Sequence, residues 1–301
     1  MIDILLATYN GEKYVKAQIL SILSQSFTNW HLYVHDDGRT DNTILIVKEL
    51  AELDNRIFII EDDISCGNAA SNFMHLLKYS KSPYVMFCDQ DDIWFDNKVE
   101  IMFNSIKSID KSMPSVLYTN AYVWHPMIGI LGKATLTFPS DINSLLFLNS
   151  GIQGCVSIFN AKMRELMLQW NGSLAMHDHL LHLLGCSLGT VIYNDIPLML
   201  YRKHANNVTG STKTNKNNIR SILSSINHPI ICRKHYDVVV EFRSKYDDVL
   251  NSEVKHFIDE YIKLPNKTFI SKVFSIVKNR FKCYDSVLRI LIKMIIKPYI
   301  K

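Results

Sequence analysis

The chain has 301 residues, 48% of them hydrophobic and 21% charged, and a formal net charge of +4 at neutral pH. This composition is typical of one large globular domain, or of one domain with an appendage. The positive charge is too weak and too scattered to indicate a nucleic-acid-binding protein, and no apolar stretch reaches the roughly 18 uncharged residues of a membrane span.

The cysteines and the first residues indicate the compartment. The six cysteines are isolated, without the CxxC spacing of a zinc site or redox pair. Isolated cysteines in apolar runs are typical of a reduced, cytosolic protein. The chain starts with MIDILLATYNG, which has an acidic third residue and no basic region, so it predicts a strand and not a signal peptide.

Short apolar runs alternate with amphipathic stretches over the first 110 residues. The runs predict strands at residues 2–7, 30–35, 56–60 and 82–88. Helical spacing of apolar residues predicts helices at 12–25, 67–79 and 96–109, and a further helix that Thr40-Asp41 can cap and that runs through Leu53. This alternation is the βαβ pattern of a parallel sheet covered by helices on both faces.

The fourth predicted strand ends in the acidic sequence DQDD at residues 89–92. Three carboxylates beside a buried strand repel one another and resist desolvation, and a chain tolerates them where a cation lies among them. Hard divalent ions such as Mg²⁺ or Mn²⁺ bind carboxylates together with substrate phosphates. In an extended segment, Asp89 and Asp91 lie on one face and Asp92 on the other. The pattern predicts a metal–diphosphate site; the alternative is an acidic loop that caps the next helix.

Polar loops follow three of these strands, at residues 8–10, 36–37 and 89–92. Ligands of parallel α/β sheets bind beyond the carboxyl ends of the strands. We therefore expect the three loops to meet in one pocket, although they are far apart in the sequence. The alternative for residues 36–38, Asp-Asp-Gly, is a plain turn, since these residue types favour turns.

The second half of the chain is less regular. Strands are predicted at residues 115–124, 155–159, 191–193 and 198–201, and helices at 139–148, 161–169 and 176–184. A polar loop follows at 202–218, and the remainder is predicted helical, with breaks near Pro229, Pro265 and Lys282. We place the boundary between a catalytic domain, 1–215, and a helical C-terminal segment, 216–301, in this loop.

The C-terminal segment carries two amphipathic patterns. Residues 269–281 place five apolar residues on one helix face: Ile270, Val273, Phe274, Val277 and Phe281. Residues 286–300 place three basic residues at steps of four: Arg289, Lys293 and Lys297. A basic stripe on an apolar helix is typical of a helix that lies on a membrane surface. The alternatives are a helix that packs on the catalytic domain, or against the second subunit of a homodimer.

Seven short motifs occur in a fixed order: ATYNG (7–11), DDGRTDNT (36–43), CGNAASNF (66–73), DQDDIW (89–94), Gly154-Cys155, MHDHL (176–180) and YRKHANNVTG (201–210). In this order they resemble the family 2 glycosyltransferases, and within them the bacterial rhamnosyltransferase-type enzymes of O-antigen and capsule polysaccharide assembly. The resemblance implies an α/β protein of the GT-A fold, with a mostly parallel central sheet flanked by helices and a C-terminal helical extension.

The resemblance also implies a donor site at the strand ends. Its nucleotide-sugar-binding residues would be Thr8, Tyr9, Asn10, Asp36, Asp37, Asp89, Gln90, Arg202 and His204. Asp37 would accept the imide N–H of a pyrimidine, which favours a dTDP- or UDP-sugar. Rhamnose is the favoured sugar, with a UDP-hexose as the alternative. Arg39 stands where the family usually carries Ser, which affects how this loop contacts the ribose and phosphates.

The implied reaction is a direct displacement with inversion at the anomeric carbon. Asp91, with Asp89 as its partner, would hold Mg²⁺ or Mn²⁺ on the leaving diphosphate. Asp178 in MHDHL would be the general base, and an ordinary Asp near the first turn of a helix is ionised at neutral pH. Without the resemblance, the residue pattern favours the alternative that Asp178 is only a carboxylate at the start of a helix.

The acceptor side is less defined. The resemblance suggests sugar or acceptor contacts from Gln153, Gly154, His179 and Trp94, while packing on a helix is an equal alternative for Trp94. The histidines at 177–182 lack the accompanying motifs of a zinc site, and His182 is interpreted as structural. The implied acceptor is a polyprenyl-diphosphate-linked glycan at the inner face of the cell membrane. A non-catalytic glycan-binding protein is disfavoured by the intact acidic loop.

Overall fold

The computed structural model describes residues 1–38, 40–148, 151–204, 229–296 and 299–300 of the chain. Within these residues, nine strands form a single mixed sheet. The strands are β1 (Ile2–Thr8), β2 (Trp30–Asp36), β3 (Ile57–Ile59), β4 (Tyr84–Asp89), β5 (Ile93–Trp94), β6 (Ser115–His125), β7 (Gly129–Lys133), β8 (Ser157–Asn160) and β9 (Thr190–Arg202).

The α-helices of the described residues lie between these strands and after them. They are α1 (Val15–Leu23), α2 (Thr43–Leu53), α3 (Ala69–Leu77), α4 (Lys98–Ile106), α5 (Ile142–Leu145), α6 (Ala161–Leu168), α7 (His177–Leu188), α8 (Arg233–Lys245), α9 (Ser252–Lys263), α10 (Phe269–Lys278) and α11 (Val287–Ile296). The α/β class predicted from the sequence is therefore confirmed.

The strand order is β3-β2-β1-β4-β8-β6-β9-β5, and β7 pairs with β6. The pairs β3–β2, β2–β1 and β1–β4 are parallel, as the βαβ pattern of the first half predicts. β8 is antiparallel to both β4 and β6, so the sheet is mixed in its second half. The reason is that β8 begins next to the carboxyl end of β4 and returns towards its amino end.

The second half departs from the sequence prediction in detail. The predicted strands at 191–193 and 198–201 are one strand, β9, whose register against β6 shifts on both sides of Asn120. Residues 154–156 form a 3₁₀ turn and not the start of a strand. The domain boundary predicted near residue 215 lies outside the described residues.

A buried carboxylate fixes the amino edge of the parallel strands. Asp3 on β1 is 1% exposed. It accepts hydrogen bonds from the Ser80 hydroxyl, the Lys81 N–H, and both the N–H and the hydroxyl of Ser82, at 2.7–2.9 Å. Four donors satisfy a buried carboxylate, and they hold the turn before β4 against β1.

The C-terminal helices pack on the sheet-containing part of the chain. The ring of Phe147 contacts those of Tyr261 and Phe281, with centroids 5.5 and 5.4 Å apart. The sequence places Phe281 on one helix face with Ile270 and Phe274, but Phe281 is fully buried while those two residues are exposed. No helix of the described residues is both long enough and apolar enough to cross a membrane.

α10 and α11 turn much of their apolar surface outward. The exposed apolar residues, here named the apolar patch, are Phe269, Ile270, Phe274, Val277, Leu288, Ile292 and Ile295. The inward side of α10 includes the polar Ser275, whose hydroxyl donates to Glu260 at 2.9 Å. Lys267 also contacts this carboxylate, at 2.7 Å. Polar contacts therefore hold α10 in place and leave its apolar side uncovered.

Candidate active site

The loops after β1 and β2 meet at the carboxyl edge of the sheet. The Thr8 hydroxyl donates to Oδ1 of Asp36 at 2.7 Å, and the N–H of Asp37 donates to the carbonyl of Thr8 at 2.9 Å. Thr8 and Asp36 are both buried. These two residues therefore join the loops, while Asp37 extends from the joined edge.

Gln90 connects the acidic loop to the loop after β1. Its side-chain oxygen accepts the N–H of Tyr9 at 2.9 Å, and its side-chain nitrogen donates to the carbonyl of Tyr9 at 3.0 Å. A Cβ at Gly11 would lie 2.1 Å from the same Gln90 oxygen, so a larger residue there would displace the Gln90 side chain from Tyr9. Gln90 thus holds two loops together, and the Tyr9 side chain remains 62% exposed.

Asn10 and Asp37 are fixed by their neighbours in different ways. Asn10 has a positive φ of 47°, and its side-chain oxygen accepts the Thr40 hydroxyl at 2.6 Å. Oδ1 of Asp37 accepts the N–H of Cys66 at 2.5 Å and the hydroxyl of Ser65 at 3.3 Å. Within the described residues Oδ2 of Asp37 makes no hydrogen bond, so this atom can accept one from a ligand.

The acidic loop brings Asp89 and Asp92 together, which differs from the sequence expectation. Ligand atoms of Asp89, Asp92 and Cys155 all lie within 4.8 Å of one another. Residues 90–91 form a turn, so the alternation of an extended strand does not apply, and Asp92 is not directed away. Asp92 is fully buried; its Oδ1 accepts the N–H of Arg202 at 3.0 Å, and its Oδ2 has no partner among the described residues.

Burial and mutual repulsion strain this cluster electrostatically. Burial, followed by the charge of Asp91, raises the pKa values of both Asp89 and Asp92 above their ordinary range. Lys98 lies beside them, fully buried, and its ammonium donates to the carbonyl of Cys155 at 2.6 Å. Burial lowers the pKa of Lys98 to about 8. Sequence reasoning missed Lys98, although a lysine on the apolar face of the following helix was a visible signal.

Asp91 faces the last residues of β9 and the segment after it. Its Oδ2 lies 2.5 Å from Nε2 of His204, and its carbonyl accepts Nε–H of Arg202 at 2.6 Å. Tyr14 supports both partners, because its ring stacks on that of His204 at 4.9 Å and lies 5.0 Å from the Arg202 guanidinium. Sequence reasoning missed Tyr14, which stands in the predicted helix after ATYNG.

Asp178 lies in the first turn of α7 and is 7% exposed. The backbone N–H groups of His179 and Gly154 lie near its carboxylate and favour the ionised form, but Oδ1 has no hydrogen-bond partner among the described residues. Burial, with a smaller effect of the Asp89 charge, raises the pKa of Asp178 to about 7. The expectation of an ordinary, fully ionised Asp is therefore wrong, since burial outweighs the helix terminus.

Gly154 is the close neighbour of both Asp178 and His177. A Cβ at Gly154 would lie 2.6 Å from Nε2 of His177 and 3.5 Å from Cβ of Asp178. The His177 ring is buried against Phe73, with centroids 4.0 Å apart, and burial lowers its pKa to about 3. Because His177 is neutral and Gly154 has no side chain, Asp178 is the group among these three residues that can ionise near neutral pH.

Other predicted site residues have mainly packing contacts. Trp94 is 2% exposed, with the Lys98 ammonium 3.9 Å from its ring centroid, so it has no open face for a sugar and fits the packing alternative. His179 is 5% exposed and contacts the ring of His235. Gln153 accepts the Thr135 hydroxyl at 3.0 Å.

His182 has a fixed structural environment. Its Nε2 lies 2.7 Å from the carbonyl of Pro139, and its Nδ1 lies 3.3 Å from the N–H of Ile152. Nε2 therefore carries the proton and Nδ1 accepts, which occupies both ring nitrogens. Burial lowers the pKa of His182 to about 4. These contacts fit the structural interpretation made from the sequence.

The acidic loop fits a hard divalent cation. Such ions prefer oxygen ligands, and this loop supplies the carboxylates of Asp89, Asp91 and Asp92. A buried, unpartnered carboxylate oxygen on Asp92 and the repulsion among the three groups are what a bound cation would relieve. The nitrogen of His204 stands beside Asp91 as a further ligand.

An α/β sheet with an acidic loop at its carboxyl edge, joined there to a second polar loop, is the arrangement that the glycosyltransferase motifs predicted. The family model described as "Glycosyl transferase family 2" matches residues 3–165. The chain belongs to this family and is a glycosyltransferase with the GT-A fold, as the sequence motifs predicted.

The chain is similar to curated enzymes of bacterial polysaccharide synthesis. One is the UDP-Glc:alpha-D-GlcNAc-diphosphoundecaprenol beta-1,3-glucosyltransferase WfgD of Escherichia coli, 34% identical over 52% of this chain and 59% of the relative. The chain thus spans about three fifths of that relative. Another is the dTDP-rhamnosyl transferase RfbG of Shigella flexneri, 26% identical over 68% of this chain and 74% of the relative. WfaP of Escherichia coli, named as the same type of glucosyltransferase as WfgD, is 27% identical over 79% and 93%.

Solved structures share the fold. S. aureus TarS 1-349 in complex with UDP-GlcNAc has a TM-score of 0.56 and 15% identity, and the match covers 92% of this chain and 80% of that one. The mannosyltransferase PcManGT from Pyrobaculum calidifontis, in complex with GDP-Man and Mn²⁺, has a TM-score of 0.51 and 11% identity, covering 97% and 85%.

Proposed function

We propose that this glycosyltransferase moves a sugar, with rhamnose favoured, from a dTDP- or UDP-sugar to a polyprenyl-diphosphate-linked glycan, with inversion, during O-antigen or capsule synthesis. One continuous set of contacts carries the proposal. Asp37 bonds to the carbonyl of Thr8, the adjacent Tyr9 bonds to Gln90, and the acidic loop is bordered by Cys155. Gly154, next to Cys155, lies against Asp178, since a Cβ at Gly154 would be 3.5 Å from Cβ of Asp178.

Each end of this set has a chemical task. Asp37 accepts the imide N–H of the pyrimidine through Oδ2, the oxygen with no hydrogen bond in the described structure. Asp178 takes the proton of the acceptor hydroxyl as it attacks the anomeric carbon and the bond to the diphosphate breaks. A base with a pKa of about 7 is matched to neutral pH, where it is partly ionised and still basic.

Asp91 and Asp89, joined by Asp92 and the His204 nitrogen, would hold Mg²⁺ or Mn²⁺. The ion would neutralise charge that develops on the departing diphosphate. Arg202 adds a fixed positive charge beside the same loop, since its Nε–H bonds to the carbonyl of Asp91. Lys98 lies beneath the cluster as a buried ammonium and offsets part of its negative charge.

The donor sugar has two candidates. Similarity to a dTDP-rhamnosyl transferase supports rhamnose, and similarity to two UDP-Glc-dependent enzymes supports glucose. A carboxylate that accepts the imide N–H serves thymine and uracil equally. A panel of dTDP-rhamnose, UDP-glucose, UDP-galactose and UDP-N-acetyl sugars, each with Mg²⁺ or Mn²⁺, decides between them through the rate of nucleoside diphosphate release.

The acidic loop is tested by Asp91→Asn. We expect at least about a hundredfold loss of transfer, because the diphosphate then lacks full charge neutralisation, while the thermal midpoint stays within a few degrees. The matched control is Asp110→Asn, an exposed aspartate after α4, which should keep full activity. Full activity of the Asp91→Asn enzyme in EDTA-treated buffer would refute metal-dependent transfer.

The helical segment from residue 216 onward is proposed as the part that contacts the membrane, where a polyprenyl-linked acceptor is anchored. The apolar patch supports this, because Ile270 is 81%, Phe274 68% and Ile295 75% exposed. Arg289 and Lys293 lie on the same helix as Ile295 and supply charge for anionic lipids.

The double variant Phe274→Ser, Ile295→Ser tests the membrane contact. We expect wild-type protein to sediment with vesicles of phosphatidylglycerol and phosphatidylethanolamine, and the variant to remain in the supernatant. Met127→Ser, Ile128→Ser is the matched control, since these apolar residues are 89% and 70% exposed on the β6–β7 turn. Equal sedimentation of both variants would refute the contact, and loss of a dimer in the first variant would identify the patch as a subunit interface.

A further inference from the structure

A second cluster of metal-ligating side chains lies behind the nucleotide loops, apart from the acidic loop. It consists of His35 on β2, Asp62 after β3 and His75 on α3, and one ligand atom of each lies within 4.8 Å of the others. Nε2 of His35 is 3.3 Å from Oδ1 of Asp62, and Nε2 of His75 is 2.7 Å from Oδ2. The two rings have centroids 4.8 Å apart.

The hydrogen bonds of Asn72 determine which nitrogen of His35 carries the proton. The Asn72 amide nitrogen lies 3.4 Å from the carbonyl of Thr8 and 3.3 Å from that of His35, so it donates to both. Its oxygen therefore faces Nδ1 of His35, at 2.8 Å, and accepts from it. Nδ1 therefore carries a proton, and a metal ion can bind the ring only through the lone pair of Nε2.

This lone pair is buried and faces a carboxylate. His35 is 1% exposed, and its Nε2 has no hydrogen-bond partner among the described residues. A buried nitrogen 3.3 Å from a carboxylate oxygen, with no hydrogen bond between them, leaves a place for a cation, either a proton on Nε2 or a metal ion. Two imidazoles and one carboxylate are the ligand types that Zn²⁺ and similar transition metals prefer.

We propose that His35, Asp62 and His75 bind a divalent transition-metal ion of the Zn²⁺ class, at a site separate from the acidic loop. Ligands about 2.0–2.2 Å from a tetrahedral ion lie about 3.3–3.5 Å apart, which is the separation between His35 and Asp62. Nε2 of His75 and Oδ2 of Asp62 are 2.7 Å apart, so they would have to separate by less than an ångström to bind the same ion. Asn72 orients His35 from behind, as outer partners of metal-ligating histidines do.

The ion would stiffen the nucleotide pocket. Asp62 begins the segment that leads to Ser65 and Cys66, and these two residues hold Oδ1 of Asp37. Tying Asp62 to β2 and α3 would therefore fix the position of Asp37. The proposed metal site depends only on the geometry of the three side chains, whereas its effect on nucleotide binding rests on the proposed function.

The test is a Co²⁺ titration of the full chain carrying Asp91→Asn, so that the acidic loop is weakened. Tetrahedral Co²⁺ is visible by its absorption. We expect one equivalent to bind with a dissociation constant below about 10 µM, and to bind at least about tenfold more weakly when Asp62→Asn or His75→Gln is added. Asp63→Asn and His31→Gln are the matched controls and should bind normally, since Asp63 follows Asp62 and His31 lies four residues before His35 on β2.

Two further measurements, the thermal midpoint with Zn²⁺ and the affinity for UDP, distinguish the possible results. Zn²⁺ should raise the thermal midpoint of the parent but not of the His75→Gln protein. It should also tighten UDP binding severalfold in the parent alone. Binding of Co²⁺ that the cluster variants abolish, together with no UDP binding by the wild-type chain with Mg²⁺ or Mn²⁺, would support the metal site and count against the proposed function. Equal Co²⁺ binding by parent and both cluster variants, or none below about 100 µM, would overturn the metal site.

Discussion

Buried carboxylates at the two edges of the sheet differ in how many hydrogen bonds they accept. At the amino edge, Asp3 is 1% exposed and accepts four hydrogen bonds from residues 80–82. At the carboxyl edge, Asp92 is fully buried, accepts one hydrogen bond from Arg202, and leaves Oδ2 without a partner in the described part of the chain. The residue type and burial are nearly the same, but Asp92 has fewer donors and also lies among other carboxylates.

This difference separates a structural carboxylate from a functional one. A buried polar atom without a partner costs about 1–3 kcal/mol, and more when it is charged. Donors that satisfy Asp3 make it part of the frame. Asp92 and Asp178 each keep an unpartnered oxygen, an arrangement that destabilises the empty protein and leaves acceptors ready for a cation or a proton.

The largest expected effect is on transfer by Asp178→Asn. The amide keeps the shape of the carboxylate but cannot take a proton, so kcat should fall by about 10²–10⁴. Affinity for UDP or dTDP should change less than threefold, because Asp178 lies on the acceptor side of the acidic loop in the proposed mechanism. Initial rates with the preferred donor, and calorimetric titration with the nucleotide, measure the two effects.

Two results would break this assignment. An Asp178→Asn enzyme that retains more than a tenth of the wild-type kcat would show that another group accepts the proton. A variant that loses nucleotide affinity with an unchanged melting temperature would move Asp178 to donor binding. Asp110→Asn again serves as the control for loss of a negative charge alone.

The second effect is the pH dependence of stability. The pKa of Asp178 is about 7 when folded and about 4 when unfolded, so between these values the folded state binds more protons. Its contribution to stability is therefore lost as pH rises from about 4 to 7, by up to about 4 kcal/mol at 1.36 kcal/mol per pKa unit. Below pH 4 the carboxyl is protonated in both states, and the contribution is fully present.

Urea unfolding in EDTA at pH 4 to 8 measures this contribution. The stability of Asp178→Asn relative to wild type should rise across the window, since the amide does not titrate. A difference that stays constant from pH 4 to 8 would mean that Asp178 titrates like an exposed aspartate. The same carboxylate should make the transfer rate rise with pH through about 7, because only the ionised form accepts a proton.

Local patterns predicted the parallel half of the sheet and the meeting of its loops. β1, β2 and β4 are mainly apolar, mostly buried strands that end in polar residues, a pattern typical of strands covered on both faces. Because parallel strands end at one edge, Thr8, Asp36 and Asp89 had to be neighbours. This inference needs only strand direction, which the βαβ alternation supplies.

Other features depend on contacts that no local pattern contains. The turn at residues 90–91 reverses the direction expected for Asp92, and the period of an extended strand cannot reveal it. Asn72 sets the tautomer of His35 from another element. The outward apolar side of α10 follows from the inward bond between Ser275 and Glu260, which is decided by tertiary packing.

The smallest effect we predict is also the one that separates the two edges most directly. Asp3→Asn replaces one acceptor oxygen by a donor that faces the donors of residues 80–82, and should destabilise the protein by about 2 kcal/mol. Asp92→Asn removes a charge from a repelling cluster and should be neutral or stabilising in metal-free buffer. Urea unfolding at pH 7.5 in EDTA compares the two variants. Equal destabilisation by both variants would mean that the carboxylates of the acidic loop are as well hydrogen-bonded as Asp3. The distinction between a structural and a functional carboxylate therefore requires that Asp3→Asn lowers the free energy of unfolding and that Asp92→Asn does not.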